Sequence, residues 1–133
     1  MDDSVQKPSP LRVLIADDNR DAADTLALLL KIKGYDVRSA YDGKEAFEAA
    51  SQFLPAVAVL DIGMPISNGF QTAQKIREQP WGQGMVLIAA TGWGESSDRQ
   101  KTRDAGFNHH LVKPLDSTKL LELLASVSNK RPT

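Results

Sequence analysis

Five residues of this chain carry side chains suited to phosphoryl chemistry, and each follows a short apolar run. They are Asp17, Asp18, Asp61, Thr91 and Lys113. Three carboxylates close together cannot all stay ionised unless a cation neutralises them or one of them binds a proton. Oxygen ligands alone select a hard cation, and Mg²⁺ with retained waters, or Mn²⁺ in its place, suits a shallow edge that faces solvent. These residue types therefore predict a divalent cation site.

The other two side chains extend this chemistry to a phosphate group. Lys113 offers a compact positive charge for a phosphate oxygen, and Thr91 offers a hydroxyl that can donate to another. A carboxylate can act as a nucleophile and form an acyl phosphate. A bound Mg²⁺ can neutralise the charge that develops during the transfer. The set indicates an aspartyl-phosphate site.

Each of these residues alone also has an ordinary explanation. Asp17 and Asp18 could cap a helix, Asp61 and Thr91 could be turn residues, and Lys113 could be a solvated surface charge. What favours a site is that all of them fall at successive strand ends of one predicted sheet. Ligands of open α/β sheets bind at the carboxyl ends of the strands, near a topological switch point.

The elements that position these residues follow from hydrophobic patterning. Short apolar runs predict five strands, at residues 11–16, 35–40, 56–60, 85–90 and 109–112. Helical spacing and cap residues predict five helices between and after them, at about 19–33, 42–52, 68–80, 95–105 and 116–127. Strands that alternate with helices through short connections predict a parallel sheet covered on both faces.

Composition limits the domain organisation and the classes of partner. The chain has 133 residues, 16 basic and 17 acidic, and no cysteine. We expect a disordered lead-in at 1–10, one domain at 11–128 and a flexible tail at 129–133. Nothing in the charge balance suggests a nucleic-acid partner, which would need a basic face. No apolar run is long enough to cross a bilayer and no signal peptide is evident, so a soluble, cytoplasmic protein is expected.

Four motifs, in order and with characteristic spacing, make the chain resemble the receiver domain of two-component response regulators, the chemotaxis-regulator-like family. They are Ala16-Asp17-Asp18-Asn19, Leu60-Asp61-Ile62-Gly63-Met64-Pro65 with Gly69, Ala90-Thr91-Gly92, and Val112-Lys113-Pro114-Leu115. The likeness covers residues 11–127. It implies a flavodoxin-like, three-layer (βα)5 fold whose five-stranded parallel sheet has the order 2-1-3-4-5.

The resemblance also implies roles for individual residues. Asp61 would be the phosphoacceptor, charged by a phosphohistidine on a sensor histidine kinase or a histidine phosphotransfer protein. Asp18 would bind Mg²⁺ directly, Asp17 mainly through water, and Gly63 through its backbone carbonyl. The output would be a shift of the surface around the fourth helix, the fifth strand and the fifth helix.

For the phosphoryl group itself, the resemblance implies that Thr91 and Lys113 hold its oxygens and that the Lys113–Pro114 peptide is cis.

Two positions near the site vary within the family. The residue three before the lysine, which is the switch residue in the family, is His110 here, and its imidazole can change charge near neutral pH. The alternative is that His110 has no switching role and is an ordinary polar residue at a strand end. Trp93 lies two after Thr91 and is predicted to restrict the attacking water; the alternative is an exposed aromatic residue that awaits a partner.

The same residues argue against other functions. A phosphatase with an aspartate nucleophile usually needs a second acid two residues on, where this chain has Gly63. A flavin carrier or a dinucleotide-binding domain would need a glycine-rich or hydroxyl-rich loop after the first strand, where Asp17 and Asp18 stand. We therefore expect a switch rather than an enzyme that turns over an outside substrate. Residues 105–114 look most like receivers of hybrid histidine kinases, and the sequence leaves open a free-standing regulator or a fragment of such a kinase.

Overall fold

The computed structural model describes residues 10–92 and 99–130. In this part of the chain, five strands and five helices alternate. The strands are β1 (Arg12–Ala16), β2 (Asp36–Ala40), β3 (Val57–Asp61), β4 (Val86–Thr91) and β5 (His109–Val112). The helices are α1 (Arg20–Ile32), α2 (Gly43–Phe53), α3 (Gly69–Arg77), α4 (Arg99–Asp104) and α5 (Ser117–Lys130), with a 3₁₀ turn at Pro80–Gly82.

All strand pairs are parallel, and the sheet order is β2-β1-β3-β4-β5. This confirms the predicted flavodoxin-like architecture and its strand order. β1 and β3 are neighbours at the centre of the sheet, although β2 lies between them in the chain. The chain therefore reverses its direction of winding at β1, and a topological switch point lies between the carboxyl ends of β1 and β3.

The sheet is covered on both faces because successive strand side chains point to opposite sides. Leu14, Leu60 and Leu87 join a buried cluster with residues of α2 and α3. Val13, Val59 and Ile88 join a second cluster with residues of α1 and α5. Every residue of β3 is buried, as expected for a central strand whose sequence is apolar throughout until its last position.

Side-chain caps begin the helices that follow the strands. Asn19 accepts a hydrogen bond from the Ala22 amide, and Asp42 accepts one from the Glu45 amide. The predicted capping box at Asp42 is modified, because the Glu45 carboxylate accepts from the amide of Tyr41 rather than from that of Asp42. Capping satisfies amides at a helix start that have no partner within the helix.

Several element boundaries differ from the predicted ones. β3 includes Asp61 because the ladder continues, with the Ile62 amide donating to the Ala90 carbonyl at 3.0 Å. α3 ends at Arg77 rather than near Pro80, and the 3₁₀ turn takes the next residues. The predicted start of the fourth helix, at 95–98, lies outside the described residues, as does most of the predicted lead-in.

Arg77 ties the end of α3 to the connection between α4 and β5. Its guanidinium donates to backbone or side-chain oxygens of Gly82, Gln83, Met85, Gly106 and Asn108, at distances of 2.6–3.2 Å. Asn108 in turn accepts from the Leu87 amide at 2.8 Å. Burial lowers the pKa of Arg77, but an arginine remains charged at physiological pH.

In the described part of the chain, no helix combines the length and the apolar character needed to span a membrane.

Candidate functional site

The structure gathers the three predicted carboxylates at the carboxyl edge of the sheet. Asp17 follows β1, and Asp61 ends β3, the neighbouring strand, where Ala16 is paired with Leu60. One carboxylate oxygen from each of Asp17, Asp18 and Asp61 lies within 4.8 Å of the others. Asp61 is buried, Asp17 is half-buried, and Asp18 is exposed. This is the switch point at which α/β sheets bind ligands.

Lys113 bridges two of these carboxylates. Its Nζ lies 3.0 Å from Oδ2 of Asp61 and 3.2 Å from Oδ2 of Asp17. Its backbone amide donates to the Thr91 carbonyl at 2.7 Å, which holds the residue against the end of β4. Partial burial acts to lower the pKa of Lys113, but hydrogen bonds and charges from Asp61 and Asp17 outweigh it, so that the pKa is raised. The ammonium is thus a fixed charge, and the Lys113–Pro114 peptide is cis, as the resemblance implies.

Backbone amides orient the two bridged carboxylates. Oδ1 of Asp61 accepts from the Gly63 amide at 3.1 Å, and Oδ1 of Asp17 accepts from the Asn19 amide at 3.0 Å. Three carboxylates against one ammonium leave two negative charges at the site. The donor set therefore fits a divalent cation with oxygen ligands. Gly63 borders this set through its amide, and the use of its carbonyl as a ligand stays a prediction.

Close approach of the backbone shapes the loop that follows Asp61. A Cβ added to Gly69 would lie 2.7 Å from the Ile62 Cα and 2.8 Å from the Asp61 carbonyl oxygen, so only glycine fits there without a backbone shift. Ile66 has a φ of 72° and leaves 73% of its surface exposed. A β-branched residue at positive φ is uncommon.

Thr91 and His110 are in direct contact. The Thr91 side chain is buried, and its Oγ1 lies 2.7 Å from Nε2 of His110. Nδ1 of His110 is also buried and has no hydrogen-bond partner among residues 10–92 and 99–130. Burial, and then the charge of Arg99, lowers the pKa of His110. The lowered pKa favours the neutral imidazole, next to the hydroxyl that was predicted to bind phosphate. Trp93 lies outside the described residues, so its predicted effect on water access stays a prediction.

The contact between Arg20 and Tyr41 was not predicted from the sequence. The Arg20 guanidinium carbon lies 4.1 Å from the centroid of the Tyr41 ring. The Tyr41 hydroxyl donates to the Asp24 carboxylate at 2.6 Å, and this hydrogen bond, followed by burial, raises the pKa of Tyr41. The only feature of the sequence that could have indicated Arg20 was its position directly after Asp17-Asp18-Asn19. No local pattern connects it with an aromatic residue 21 positions later.

Comparisons with known proteins agree with this architecture. The model of the family described as "Response regulator receiver domain" matches residues 13–125. Among curated proteins, the chain is 34% identical over 120 residues to a 14.6 kDa protein of Leptolyngbya boryana, covering 90% of this chain and 92% of that protein. It is 32% identical over 112 residues to the response regulator MprA of Mycolicibacterium vanbaalenii, covering 84% of this chain but 48% of MprA. The chain thus spans about half the length of this larger regulator.

Solved structures show the same fold. The chemotaxis response regulator CheY4 of Vibrio cholerae matches with a TM-score of 0.81 at 28% identity, covering 89% of this chain and 98% of that one. The REC domain of AraT, a response regulator from Geobacillus stearothermophilus, matches with a TM-score of 0.78 at 30% identity, covering 90% and 94%. In each case the match extends over nearly the whole solved domain.

Proposed function

This chain belongs to the response regulator receiver domain family of two-component signalling, and from that premise we propose that it accepts a phosphoryl group on Asp61. The observation that carries the proposal is the environment of the Asp61 carboxylate. Its side chain is only 8% exposed, lies 3.0 Å from the Lys113 ammonium, and shares an edge with two further carboxylates. The proposed phosphoacceptor domain spans residues 11–128.

In the proposed transfer, a carboxylate oxygen of Asp61 attacks the phosphorus of a phosphohistidine on a partner protein. The phosphorus–nitrogen bond breaks, the imidazole nitrogen keeps the electron pair, and an acyl phosphate forms on Asp61. Lys113 already contacts Asp61 and lies within reach of a phosphoryl oxygen. Its raised pKa keeps it charged throughout the physiological range, so that it can balance the added negative charge. Attack of water on the phosphorus would later release inorganic phosphate and restore the carboxylate.

Asp17, Asp18 and Asp61, with the Gly63 carbonyl, are the residues that would hold Mg²⁺, or Mn²⁺ in its place. The support is the cluster of carboxylate oxygens within 4.8 Å, of which Lys113 neutralises only a part. When bound, the cation would stabilise the negative charge that develops on the phosphoryl oxygens. Asp18 is the most exposed of the three carboxylates and is therefore the most open to a cation that arrives from solvent.

The Thr91–His110 contact is the proposed switch. In the structure, the Thr91 hydroxyl is engaged with Nε2 of His110. A phosphoryl group on Asp61 would offer that hydroxyl a charged acceptor, which makes a stronger hydrogen bond than a neutral nitrogen. Movement of Thr91 toward the phosphoryl group would then release His110 and displace β5 with the neighbouring helices, α4 and α5. Phosphorylation would shift an equilibrium between these two arrangements.

The proposed partners are a sensor histidine kinase or a histidine phosphotransfer protein upstream, and a protein that reads the α4–β5–α5 surface downstream. We place this exchange in the cytoplasm, with the chain either free-standing or as the receiver of a hybrid kinase. It assists its own phosphorylation and dephosphorylation but turns over no outside substrate. Trp93 would slow hydrolysis by restricting water near Asp61, and Trp93→Ala should then shorten the lifetime of the adduct.

Intact-mass spectrometry after incubation with acetyl phosphate tests the proposal. The wild-type chain should gain one phosphoryl group only when Mg²⁺ is present, and the adduct should be labile to base. Asp61→Asn should gain none, whereas Asp36→Asn, a matched change on an exposed residue at the opposite end of β2, should behave like wild type. A folded wild-type chain that forms no adduct with acetyl phosphate or a phosphohistidine protein, and binds no beryllofluoride, would refute the phosphoacceptor role.

A further inference from the structure

An arginine that closely follows Asp17 and Asp18 in the chain has hydrogen-bond donors with no acceptor among the described residues. Arg20 is the first residue of α1, two positions after Asp18, and its side chain is exposed. Its guanidinium stacks on the Tyr41 ring, with the guanidinium carbon 4.1 Å from the ring centroid. Within residues 10–92 and 99–130, it has no hydrogen-bond acceptor and no carboxylate at ion-pair distance.

The Tyr41 ring is the aromatic platform for Arg20, and three hydrogen bonds hold Tyr41 and the residue before it. The Tyr41 amide donates to the Glu45 carboxylate at 2.9 Å, and the Tyr41 hydroxyl donates to Asp24 at 2.6 Å. Tyr41 directly follows Ala40, whose carbonyl accepts from the Asp17 amide at 3.0 Å. Tyr41 is therefore one residue away from a backbone hydrogen bond to Asp17, and the ring on which Arg20 stacks is held in place by Asp24. An orientation fixed before a ligand arrives reduces the entropy lost on binding.

Arg20 and Lys113 lie on opposite flanks of the carboxylates. Lys113 comes from the end of β5 and is already paired with Asp17 and Asp61. Arg20 lies on the side of β2, at the other end of the sheet order, and its charge is paired with no carboxylate in the described part of the chain. A guanidinium presents a planar set of donors that suits phosphoryl oxygens.

We propose that Arg20, oriented by Tyr41, is a specificity-determining residue that attracts anionic phosphodonors to the Asp61 site. The inference rests on the proposed phosphoacceptor function. It adds a second positive charge, with no carboxylate partner in the described part of the chain, that acts before the transfer. Arg20 favours donors in proportion to their negative charge, since the attraction is electrostatic. It leaves hydrolysis of the adduct unaffected, because the attacking water is neutral.

Two small phosphodonors separate this effect from general catalysis. Near neutral pH, acetyl phosphate carries one more negative charge than phosphoramidate, whose nitrogen is protonated. Rates of adduct formation are measured by intact-mass spectrometry at saturating Mg²⁺, established for each variant by titration. Arg20→Gln should react with acetyl phosphate about three- to sixfold more slowly at low ionic strength, and less than about twofold more slowly near 0.5 M salt. The loss with phosphoramidate should be smaller, and the hydrolysis half-life should match that of wild type.

The chain offers a matched control for the loss of one positive charge. Arg38 is also exposed and also stacks on an aromatic ring, with its guanidinium carbon 4.6 Å from the Phe53 centroid. Phe53 ends α2, at the edge of the sheet away from the carboxylates. Arg38→Gln should therefore leave the rates with both donors unchanged. Tyr41→Leu removes the aromatic platform but keeps the charge of Arg20. It should cause part of the loss of phosphorylation rate that Arg20→Gln shows with acetyl phosphate.

Three results would overturn the inference. One is an Arg20→Gln protein that reacts with acetyl phosphate at the wild-type rate at low salt. Another is an equal loss in Arg38→Gln, which would trace the effect to net charge. The third is an equal change in the rate of hydrolysis, which would place Arg20 in the catalytic machinery. If the wild-type chain forms no adduct, both the proposed function and this inference are wrong. If the wild-type chain is phosphorylated and Arg20→Gln reacts at the same rate, only this inference is wrong.

Discussion

Replacing Lys113 by methionine removes the one ammonium that bridges Asp17 and Asp61. The substitution keeps the length and most of the apolar stem of the side chain but leaves three carboxylates within 4.8 Å of one another with no positive charge between them. We expect the free energy of unfolding to fall when no divalent cation is present. We also expect Mg²⁺ to restore much of that loss, because the cation can take over the charge compensation.

The magnitude follows from the distances and the exposure of the three side chains. The Nζ–O separations are 3.0 and 3.2 Å, and the lysine side chain is 30% exposed, against 8% for Asp61 and 14% for Asp17. An exposed ion pair contributes about 0–1 kcal/mol, whereas removing one partner of a fully buried pair costs about 3–5 kcal/mol. This bridge lies between those limits, so we expect a loss of about 2 kcal/mol.

The assay is urea unfolding followed by circular dichroism, in EDTA and in excess Mg²⁺. Lys75→Met is the matched control, since the described partner of its ammonium is the Ser67 hydroxyl at 3.5 Å, and it should unfold like wild type within about 0.5 kcal/mol. Adding Asp17→Asn to Lys113→Met should recover part of the loss by removing one like charge. If Lys113→Met is as stable as wild type in EDTA, the cluster is hydrated well enough to need no ammonium, and this reasoning is refuted.

Three further predictions concern the neighbouring residues. Ile66→Gly should raise the free energy of unfolding by about 1 kcal/mol in urea titrations, because glycine adopts positive φ without a Cβ clash; a loss of stability would contradict this. Gly69→Ala should lower it by about 2 kcal/mol or more, since the added Cβ meets the Asp61 carbonyl, and an unchanged urea midpoint would show that the loop can shift. Because the pKa of His110 is lowered in the folded state, the unfolded chain binds its proton more readily. Stability should therefore be complete above the ordinary histidine value of about 6.5 and decline as the pH falls from there through the lower folded value. His110→Phe should lose this part of the pH dependence, and parallel wild-type and variant profiles would argue against it.

The fold could be predicted from sequence because its signals are local and agree with each other. The apolar run that becomes β3, the polar residues at the strand ends and the cap residues Asn19 and Asp42 each indicated the same alternation of strands and helices. The gathering of Asp17, Asp61 and Lys113 followed as well, since parallel strands bring their carboxyl ends to one edge. The boundaries were less certain because a polar residue such as Asp61 can continue a ladder when the neighbouring strand supplies its backbone partners.

What the sequence could not predict depends on side-chain orientation over long sequence separations. Nothing local indicates that Arg77 reaches Gly106, or that the Tyr41 ring supports Arg20. The positive φ of Ile66 contradicts the preference of a β-branched residue, so propensity alone argues against it. The resemblance implied that Thr91 holds a phosphoryl oxygen and that His110 is the switch residue, but it did not specify their direct contact. Nor did it indicate that Nδ1 of His110 has no hydrogen-bond partner among the described residues.

The hydrogen bonds of Arg77 have a mechanical consequence for the proposed switch. They clamp Gly106 and Asn108, the residues just before β5, to the end of α3 and the start of β4. β5 is therefore anchored at its amino end, close to His110, which is the second of its four residues, while Lys113 follows its carboxyl end and contacts Asp61. In the proposed switch, a displacement at His110 would therefore increase with distance from that anchor. It would be largest at the carboxyl end of β5, next to α5, and smallest at the residues that Arg77 holds before β5.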